Sequence, residues 1–236
     1  MKQVSLHILE NTALAQGIYR LRLGGDVSAV TDPGQFVNIK LNGFFLRRPI
    51  SVCDWQDGEL TLIYKVLGRG TAQMATLPVG AALDVLTGLG NGYDLSPAGE
   101  APLLVGGGVG IPPLYGLAKR LTAQGKRVTA VLGFNCAAEQ FLVEDFRALG
   151  VKVIVLTADG SAGVRGLVTD GMALAQGYSY LYTCGPEAML RAVYDRCATS
   201  GQFSFEERMG CSCQTKYGSK RICTDGPVLV KEEIVW

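Results

Sequence analysis

Apolar and polar residues alternate in short runs over the first 97 residues of the chain. Strict alternation is typical of strands with one buried face, and the runs are too short for helical periodicity. Turn signals such as Gly24-Gly25-Asp26 and Asn42-Gly43 separate them. The pattern therefore predicts a small antiparallel barrel of six strands, at residues 4–9, 18–23, 35–41, 50–54, 60–66 and 82–87.

The pattern changes after residue 97, where continuous apolar runs begin to alternate with helix-compatible stretches. We predict strands at 102–105, 128–133, 151–156 and 180–183, and helices at 114–124, 138–149 and 187–200. Buried strands that alternate with helices indicate a parallel sheet covered by helices. The expected fold class is α/β plus β, with a barrel domain at 1–97, a nucleotide-binding domain at 98–201 and a short cysteine-containing tail at 202–236.

The composition is that of a folded protein with a large core, since 48% of the 236 residues are hydrophobic and 18% are charged. The 22 basic and 21 acidic residues leave a formal net charge of +1. No basic block stands out, which argues against a nucleic-acid partner. The N-terminus lacks the apolar region of a secretory signal, and no apolar run approaches the roughly 20 residues of a membrane helix. We therefore expect a cytoplasmic protein that does not bind a membrane.

A glycine-rich turn, Gly106-Gly107-Gly108-Val109-Gly110-Ile111-Pro112-Pro113, follows an apolar strand and opens a predicted helix. Glycines there allow backbone N–H groups to approach a pyrophosphate, and a helix N-terminus favours its negative charge. The turn is not the G-x-G-x-x-G fingerprint, and an ordinary glycine turn is the alternative. Its place between strand and helix favours a nucleotide site.

A second polar constellation lies in the predicted barrel, at Arg47-Arg48-Pro49-Ile50-Ser51, Ile63-Tyr64-Lys65 and Gly70-Thr71. An arginine can clamp a pyrophosphate, a serine can bond a ring nitrogen and a tyrosine can stack on a planar ligand. A polar strand face with a turn is the alternative interpretation. Further along, Cys184-Gly185-Pro186 ends a predicted strand, where ligands of open α/β sheets bind. A buried cysteine that only fills space is equally compatible with Cys184.

Three of the seven cysteines, Cys211, Cys213 and Cys223, crowd into the short tail. In a chain without an export signal, such crowding indicates metal binding rather than disulfides. An iron–sulfur cluster held only by cysteine needs four thiolates, however, and the tail has three.

Four motifs occur in the order found in the ferredoxin–NADP reductase superfamily, namely Arg48-Pro49-Ile50-Ser51, Gly70-Thr71, Gly108-Val109-Gly110-Ile111-Pro112-Pro113 and Cys184-Gly185-Pro186. The tail narrows the resemblance. Glu206-Glu207-Arg208-Met209-Gly210-Cys211 and Cys223-Thr224-Asp225-Gly226-Pro227-Val228 resemble the electron-transfer subunits of NAD-dependent (type B) dihydroorotate dehydrogenase. The likeness covers essentially the whole chain.

The resemblance implies a site for each of three cofactors. FAD would contact Arg48, Pro49, Ile50, Ser51, Ile63, Tyr64, Lys65, Gly70 and Thr71. NAD would bind at Gly108, Gly110 and Pro113, with Cys184, Gly185 and Pro186 near the contact between nicotinamide and flavin. Ser51 and Cys184 would be the catalytic residues. A [2Fe–2S] cluster would bind the tail, where the candidate metal ligands are Cys211, Cys213 and Cys223.

The resemblance also implies a function in pyrimidine biosynthesis. In the family, a separate FMN-containing catalytic subunit oxidises dihydroorotate, and the two kinds of subunit form a heterotetramer. Electrons would pass through the cluster and FAD of this flavin-dependent oxidoreductase subunit to NAD. The segment after Gly133-Phe134-Asn135 has no Arg or Lys cluster to receive a 2′-phosphate, which favours NAD over NADP.

The tail departs from the family pattern, in which a C-x4-C-x2-C run precedes a fourth cysteine. Here Met209-Gly210 leads directly into Cys211-Ser212-Cys213, so about eight residues with two ligands are absent. On this alignment Cys211 and Cys223 match ligands and Cys213 is an accessory. A true deletion, an engineered one and a loop missing from the recorded sequence all remain open. So do two other functions: an NAD(P)H–ferredoxin or sulfide-type reductase subunit, and a regulatory subunit without a cluster.

Overall fold

The N-terminal part of the chain folds as a closed antiparallel barrel. The computed structural model of the protein describes residues 1–205 and 212–236. The barrel strands are β1 (Lys2–Ala15), β2 (Ile18–Gly24), β3 (Phe36–Ile39), β4 (Arg48–Gln56), β5 (Glu59–Lys65) and β6 (Ala82–Leu89). They close in the order β1-β2-β5-β4-β3-β6. The six-stranded antiparallel barrel that the alternation predicted is therefore confirmed.

Each barrel strand presents one face to the barrel interior and the other to the second domain or to solvent. In β5, Leu62 and Tyr64 are buried inside the barrel, whereas Ile63 packs in a different cluster shared with the second domain. This alternation follows from the two-residue period of a strand. It decides which side chains of the predicted flavin motif face outward.

A short helix, α1 (Arg69–Ala75), was not predicted within the barrel domain. Its Met74 is fully buried in the barrel core. Seven residues make about two turns, which is too short for a helical period to stand out in the sequence.

The second domain is built on a sheet of parallel strands flanked by helices. Its elements are β7 (Leu103–Gly107), α2 (Ile111–Ala123), β8 (Thr129–Phe134), α3 (Val143–Ala148), β9 (Lys152–Thr157), β10 (Val164–Arg165), α4 (Val168–Leu174), β11 (Leu181–Gly185), α5 (Glu187–Arg196) and β12 (Gly201–Phe205). The predicted parallel-sheet domain is confirmed. Among the described residues, no helix combines the length and apolar character needed to cross a bilayer.

The predicted helix at 138–149 is interrupted in the structure. A 3-10 turn at Ala137–Glu139 precedes α3, and Leu142 between them has a left-handed backbone with φ of 61°. The helix α4 was also missed, since its seven residues are few and Gly171 at its centre lowers helix propensity.

The tail packs on the rest of the protein instead of forming a core of its own. It contains β13 (Ser212–Thr215), β14 (Gly218–Arg221), α6 (Ile222–Asp225) and β15 (Val228–Val230). β15 pairs antiparallel with β12, which gives the sheet the order β10-β9-β8-β7-β11-β12-β15 in the described residues. The predicted domain boundary at 201/202 thus falls within β12. The tail extends the sheet because a segment this small cannot bury its apolar residues alone.

The barrel and the sheet domain share one hydrophobic core. A single cluster joins Ile18, Cys53 and Ile63 of the barrel to residues of α2 and of the central strands. Helix α2 approaches β4 so closely that a Cβ atom on Gly116 would lie 2.8 Å from the Cys53 carbonyl oxygen. Lys119 Nζ adds a 2.7 Å ion pair to Asp54 of β4. These contacts hold the two domains in one orientation.

Candidate functional site

A cavity of about 520 Å³ opens where the barrel meets the carboxyl ends of the parallel strands. This volume lies in the range of small-molecule sites. The barrel contributes Lys65 and Leu67. The sheet domain contributes Gly107, Gly108, Val109, Gly133, Phe134, Asn135, Glu139, Ala158, Gly166, Leu167, Val168, Thr169, Pro186, Ala188, Met189 and Ala192. Ligands of open α/β sheets bind at this edge, so the cavity is the candidate nucleotide site.

The glycine-rich turn between β7 and α2 forms one wall of this cavity. Gly108 has a positive φ of 52°, which glycine adopts without strain. A Cβ atom on Gly110 would overlap the Cys184 backbone at the end of β11. The turn therefore needs glycine both for its conformation and for its contact with the neighbouring strand. The 13-residue helix α2 starts directly after it, so the positive end of the helix dipole lies beside the cavity.

An ion pair spans the cavity from the barrel to the sheet domain. Lys65 Nζ donates to Glu139 Oε1 at 3.1 Å, and Asn135 Nδ2 donates to Glu139 Oε2 at 2.8 Å. Burial alone would raise the pKa of Glu139, but the bonds from Lys65 and Asn135 hold that pKa below its ordinary value. The carboxylate is thus ionised at neutral pH and paired with the lysine.

The two neighbouring arginines of the barrel motif have different environments. Arg47 Nη2 lies 3.0 Å from both carboxylate oxygens of Asp84, so its guanidinium is already paired. Arg48 makes no ion pair among the described residues. Its Nη1 donates to the Leu46 carbonyl oxygen at 2.7 Å, and its Cζ lies 4.6 Å from the centre of the Phe44 ring. Arg48 therefore keeps a guanidinium available for an anionic ligand.

Gly70 and Arg48, two of the residues that the resemblance assigns to FAD, are in direct contact. A Cβ atom on residue 70 would overlap the Arg48 guanidinium. Thr71 Oγ1 accepts the N–H groups of Leu67 at 3.0 Å and of Gly68 at 3.2 Å, which orders the turn before α1. The structure thus places Arg48, Gly70 and Thr71 together at one end of the barrel.

Tyr64 does not present its ring to a planar ligand. Its side chain is 2% exposed, stacks on Tyr19 inside the barrel and donates a hydrogen bond to Asn11 Oδ1 at 3.1 Å. A contact between Tyr64 and a flavin would have to use its backbone. Ile63 is also buried, whereas Lys65 reaches the cavity.

The two predicted catalytic residues lie on the outward face of β4 and at the end of β11. Ser51 is half-buried between Ile50 and Val52, which point towards the barrel core. Cys184 is 2% exposed and packs in the same cluster as Cys53 and Ile63. Of the predicted nucleotide residues, Gly108 and Pro186 line the cavity. The others are buried and are not part of its lining, namely Gly110, Pro113, Cys184 and Gly185.

Several lining residues were missed from the sequence. Gly133 and Phe134 end β8, the strand beside the glycine-rich turn, and Asn135 follows it, so position alone could have marked them. Glu139, Met189 and the segment 166–169 carried no local signal, because only packing brings them to the cavity.

Known proteins resemble the chain over almost its full length. The Dihydroorotate dehydrogenase B (NAD(+)), electron transfer subunit of Bacillus caldolyticus is 44% identical over 94% of each chain. The protein of the same name in Shouchella clausii is 42% identical over 99% of this chain and 98% of its own. The chain belongs to the family of these electron transfer subunits. No family model matches it.

Solved structures agree with this family and with the fold. A chain of the NADH-dependent reduced ferredoxin–NADP oxidoreductase superposes with a TM-score of 0.88 at 29% identity, over 98% of this chain and 90% of its own. A ferredoxin NADP+ reductase from Neisseria gonorrhoeae, solved with FAD and NADP, has a TM-score of 0.72 at 16% identity, over 83% of this chain and 90% of its own. The second likeness concerns the fold alone.

The family members are longer than this chain within the aligned span. The relative from Bacillus mycoides, 40% identical, aligns over 258 positions that include the whole of this chain and 99% of its own. Because this chain has 236 residues, 22 of those 258 positions have no counterpart in it.

The donor set of the tail does not fit a [2Fe–2S] cluster. Cys211 lies outside the described residues, and the tail as a whole contains three cysteines where four are needed. Cys213 and Cys223 pack against the apolar cluster of Phe36, Leu89 and Ile222. Burial and the carboxylates of Glu187 and Glu233 raise the pKa of the Cys213 thiol. Within residues 1–205 and 212–236, no group of three metal-binding side chains occurs.

We predict that anaerobically purified protein contains far less than two iron and two sulfide per chain, because a fourth thiolate is missing. Iron and sulfide assays with an intact mass test this, and a mass equal to that of the 236-residue sequence excludes an extra loop. Cys213→Ser is the matched variant, and we expect it to change neither the iron content nor the sulfide content. Two irons per chain at the expected mass would contradict the prediction.

Proposed function

We propose that this protein binds FAD on the barrel and NAD in the cavity, and that it exchanges electrons between NAD and a partner subunit. One observation carries the proposal: a cavity at the carboxyl ends of the parallel strands is lined by the glycine-rich turn and by Lys65 and Leu67 of the barrel domain. In a family of electron transfer subunits, this geometry suits a nucleotide that meets a flavin at the boundary between two domains.

The barrel residues fit FAD. Arg48 supplies a guanidinium without a carboxylate partner among the described residues, and it rests on Gly70, where a side chain would fill the space. A guanidinium forms two parallel hydrogen bonds with a pyrophosphate. We infer that Arg48 holds the pyrophosphate and that the Gly70-Thr71 backbone supports it. Ser51, on the outward face of β4, is proposed to hydrogen-bond the flavin ring.

The sheet domain fits NAD. The glycine-rich turn and the start of α2 offer a backbone without side chains and a positive dipole to the dinucleotide pyrophosphate. Cys184 and Gly185 fix the end of β11 against this turn. Among the lining residues, the one cation is Lys65, which is already paired with Glu139. The cavity therefore offers little to an additional 2′-phosphate, which favours NAD over NADP.

The chemistry of the reaction belongs to the cofactor, because FAD when bound accepts or donates two electrons and so matches a nicotinamide. The protein supplies orientation and exclusion of water. The shared core of barrel and sheet domain keeps the two binding surfaces at a constant distance. Cys184 is buried, and we propose that it lies next to the nicotinamide and helps to position it.

The partner is proposed to be an FMN-containing dihydroorotate dehydrogenase catalytic subunit, in a heterotetramer. The relatives are named electron transfer subunits, which supports a separate catalytic chain. The charged side chains that line the cavity are Lys65 and Glu139, and these neutralise each other. Oxidation of an organic substrate would need an acid or base poised at that substrate.

A second candidate is a subunit of an NADH-dependent ferredoxin reductase. The observation that favours it is the superposition, at a TM-score of 0.88, on a chain of the NADH-dependent reduced ferredoxin–NADP oxidoreductase. The identity of 29% is well below the 40–44% shared with the dihydroorotate dehydrogenase subunits. The first candidate is therefore preferred.

We predict that NADH bleaches the flavin absorbance of the purified protein under anaerobic conditions. NADPH should do so at least about tenfold more slowly at low concentration, since its extra phosphate meets no unpaired cation of the cavity lining. Stopped-flow absorbance measures both rates. A flavin that stays oxidised with excess NADH would remove the NAD assignment.

Arg48→Ala should weaken FAD binding about 10- to 100-fold, because hydrogen bonds to charged groups contribute about 1.5–3 kcal/mol. Arg47→Ala is the control, since this arginine is bound to Asp84. Its flavin affinity should stay within about threefold of the wild-type value. Flavin content after dilution and gel filtration gives the comparison, and equal loss in both variants would contradict the assigned role of Arg48.

Co-expression with a dihydroorotate dehydrogenase catalytic subunit should give one complex in gel filtration, with a mass that matches two copies of each chain. Separate elution of the two chains would favour the ferredoxin reductase candidate.

A further inference from the structure

The cavity has one positive and one negative side chain among the residues that line it, and they are bound to each other. Lys65 and Glu139 are 29% and 21% exposed, so the pair is partly shielded from water. A dinucleotide brings a pyrophosphate with two negative charges into this cavity. The net charge that it meets from the lining side chains is zero, and the one ammonium is held by the one carboxylate.

Glu139 is the fixed member of the pair. It belongs to the 3-10 turn Ala137–Glu139, whose Ala138 carbonyl oxygen accepts the Gln16 N–H of the barrel at 3.0 Å. The Ala137 N–H donates to Ser161 Oγ at 2.7 Å, and Asn135 holds the second carboxylate oxygen. The Lys65 ammonium, in contrast, has Glu139 as its one side-chain partner among the described residues, and it ends a four-carbon stem with several rotatable bonds. The lysine can therefore leave the pair while the carboxylate stays in place.

We propose that Glu139 is the residue that sets the affinity for the dinucleotide, because it competes with the ligand's phosphates for Lys65. In the ligand-free protein the carboxylate holds the ammonium. On binding, Lys65 exchanges Glu139 for a phosphate oxygen, so part of the binding free energy is used to break the ion pair. This inference rests on the proposed function, since it assumes that NAD binds in this cavity.

Removal of the competing charge gives a definite expectation. Glu139→Gln keeps the size of the side chain and one acceptor oxygen, which Asn135 can still use, but it removes the negative charge that pairs with Lys65. The affinity for a pyrophosphate ligand should increase about 1.5-fold to fivefold at low ionic strength, which corresponds to the roughly 0.2–1 kcal/mol of exposed ion pairs. The gain should decrease with added salt, because salt screens the new attraction.

The test is a calorimetric titration of the flavin-loaded protein with ADP-ribose, which carries the pyrophosphate and cannot reduce the flavin. The wild-type protein, Glu139→Gln, Lys65→Gln and the double variant are titrated at low and at high salt. We expect the tightest binding for Glu139→Gln and the weakest for Lys65→Gln, where an unpaired carboxylate repels the ligand. Adding Lys65→Gln to Glu139→Gln should abolish the gain.

Glu100→Gln is the matched control. Glu100 forms a 3.0 Å ion pair with Lys126 and precedes β7, at the edge of the sheet opposite to the cavity. The Glu100→Gln substitution makes the same change of charge at a distant site, and we expect it to leave the affinity for ADP-ribose unchanged. Thermal unfolding verifies that each variant is folded. If Glu139→Gln is not folded, Glu139→Ala takes its place in the series, because it removes the same charge.

Three results would overturn the inference. Equal affinities for the wild-type protein and Glu139→Gln would show that the carboxylate does not compete. Binding by the double variant as tight as that of Glu139→Gln would show that Lys65 is not the group released. In both cases ADP-ribose still binds and the proposed function stands. Absence of ADP-ribose binding in every protein, together with no bleaching by NADH, would instead refute the proposed function and the inference with it.

Discussion

The structure depends on one packing constraint, the close approach of helix α2 to barrel strand β4. Gly116 has no side chain, and the Cys53 carbonyl oxygen occupies the space that a Cβ atom would need. The approach merges the outward face of the barrel with the core of the sheet domain into one cluster. Well-packed interfaces of this kind have few alternative arrangements. The cavity between the domains therefore has walls of constant spacing, as electron exchange between two bound cofactors requires.

The alternation of a single strand then divides the flavin motif between two roles. Along β5, Tyr64 turns into the barrel and stabilises it through Tyr19 and Asn11, whereas Lys65 turns outward to the cavity. The same division separates Arg47, which is held by Asp84, from Arg48, which has no ion pair among the described residues. In each pair of neighbouring residues, one side chain is thus held within the barrel domain, whereas the other is proposed to meet a ligand.

The tail combines an intact structural part with an incomplete set of cysteines. Its strand β15 completes the sheet beside β12. Its Ile222 and Cys223 pack against the barrel at Phe36. These contacts are hydrophobic and backbone interactions that need no metal. The tail can therefore hold its place even though three cysteines cannot complete an all-cysteine cluster.

The sequence by itself determined the two-domain plan, the glycine-rich turn, the arginine motif and the number of cysteines. Strand alternation and strand–turn–helix order are local patterns, and residues close in the chain are enough to produce them. Only the tertiary structure decided that Glu139 pairs with Lys65, 74 positions away, and that β15 joins β12. Such contacts depend on how whole elements pack. A periodic pattern states which face of an element is buried, but it does not state which distant residue covers that face.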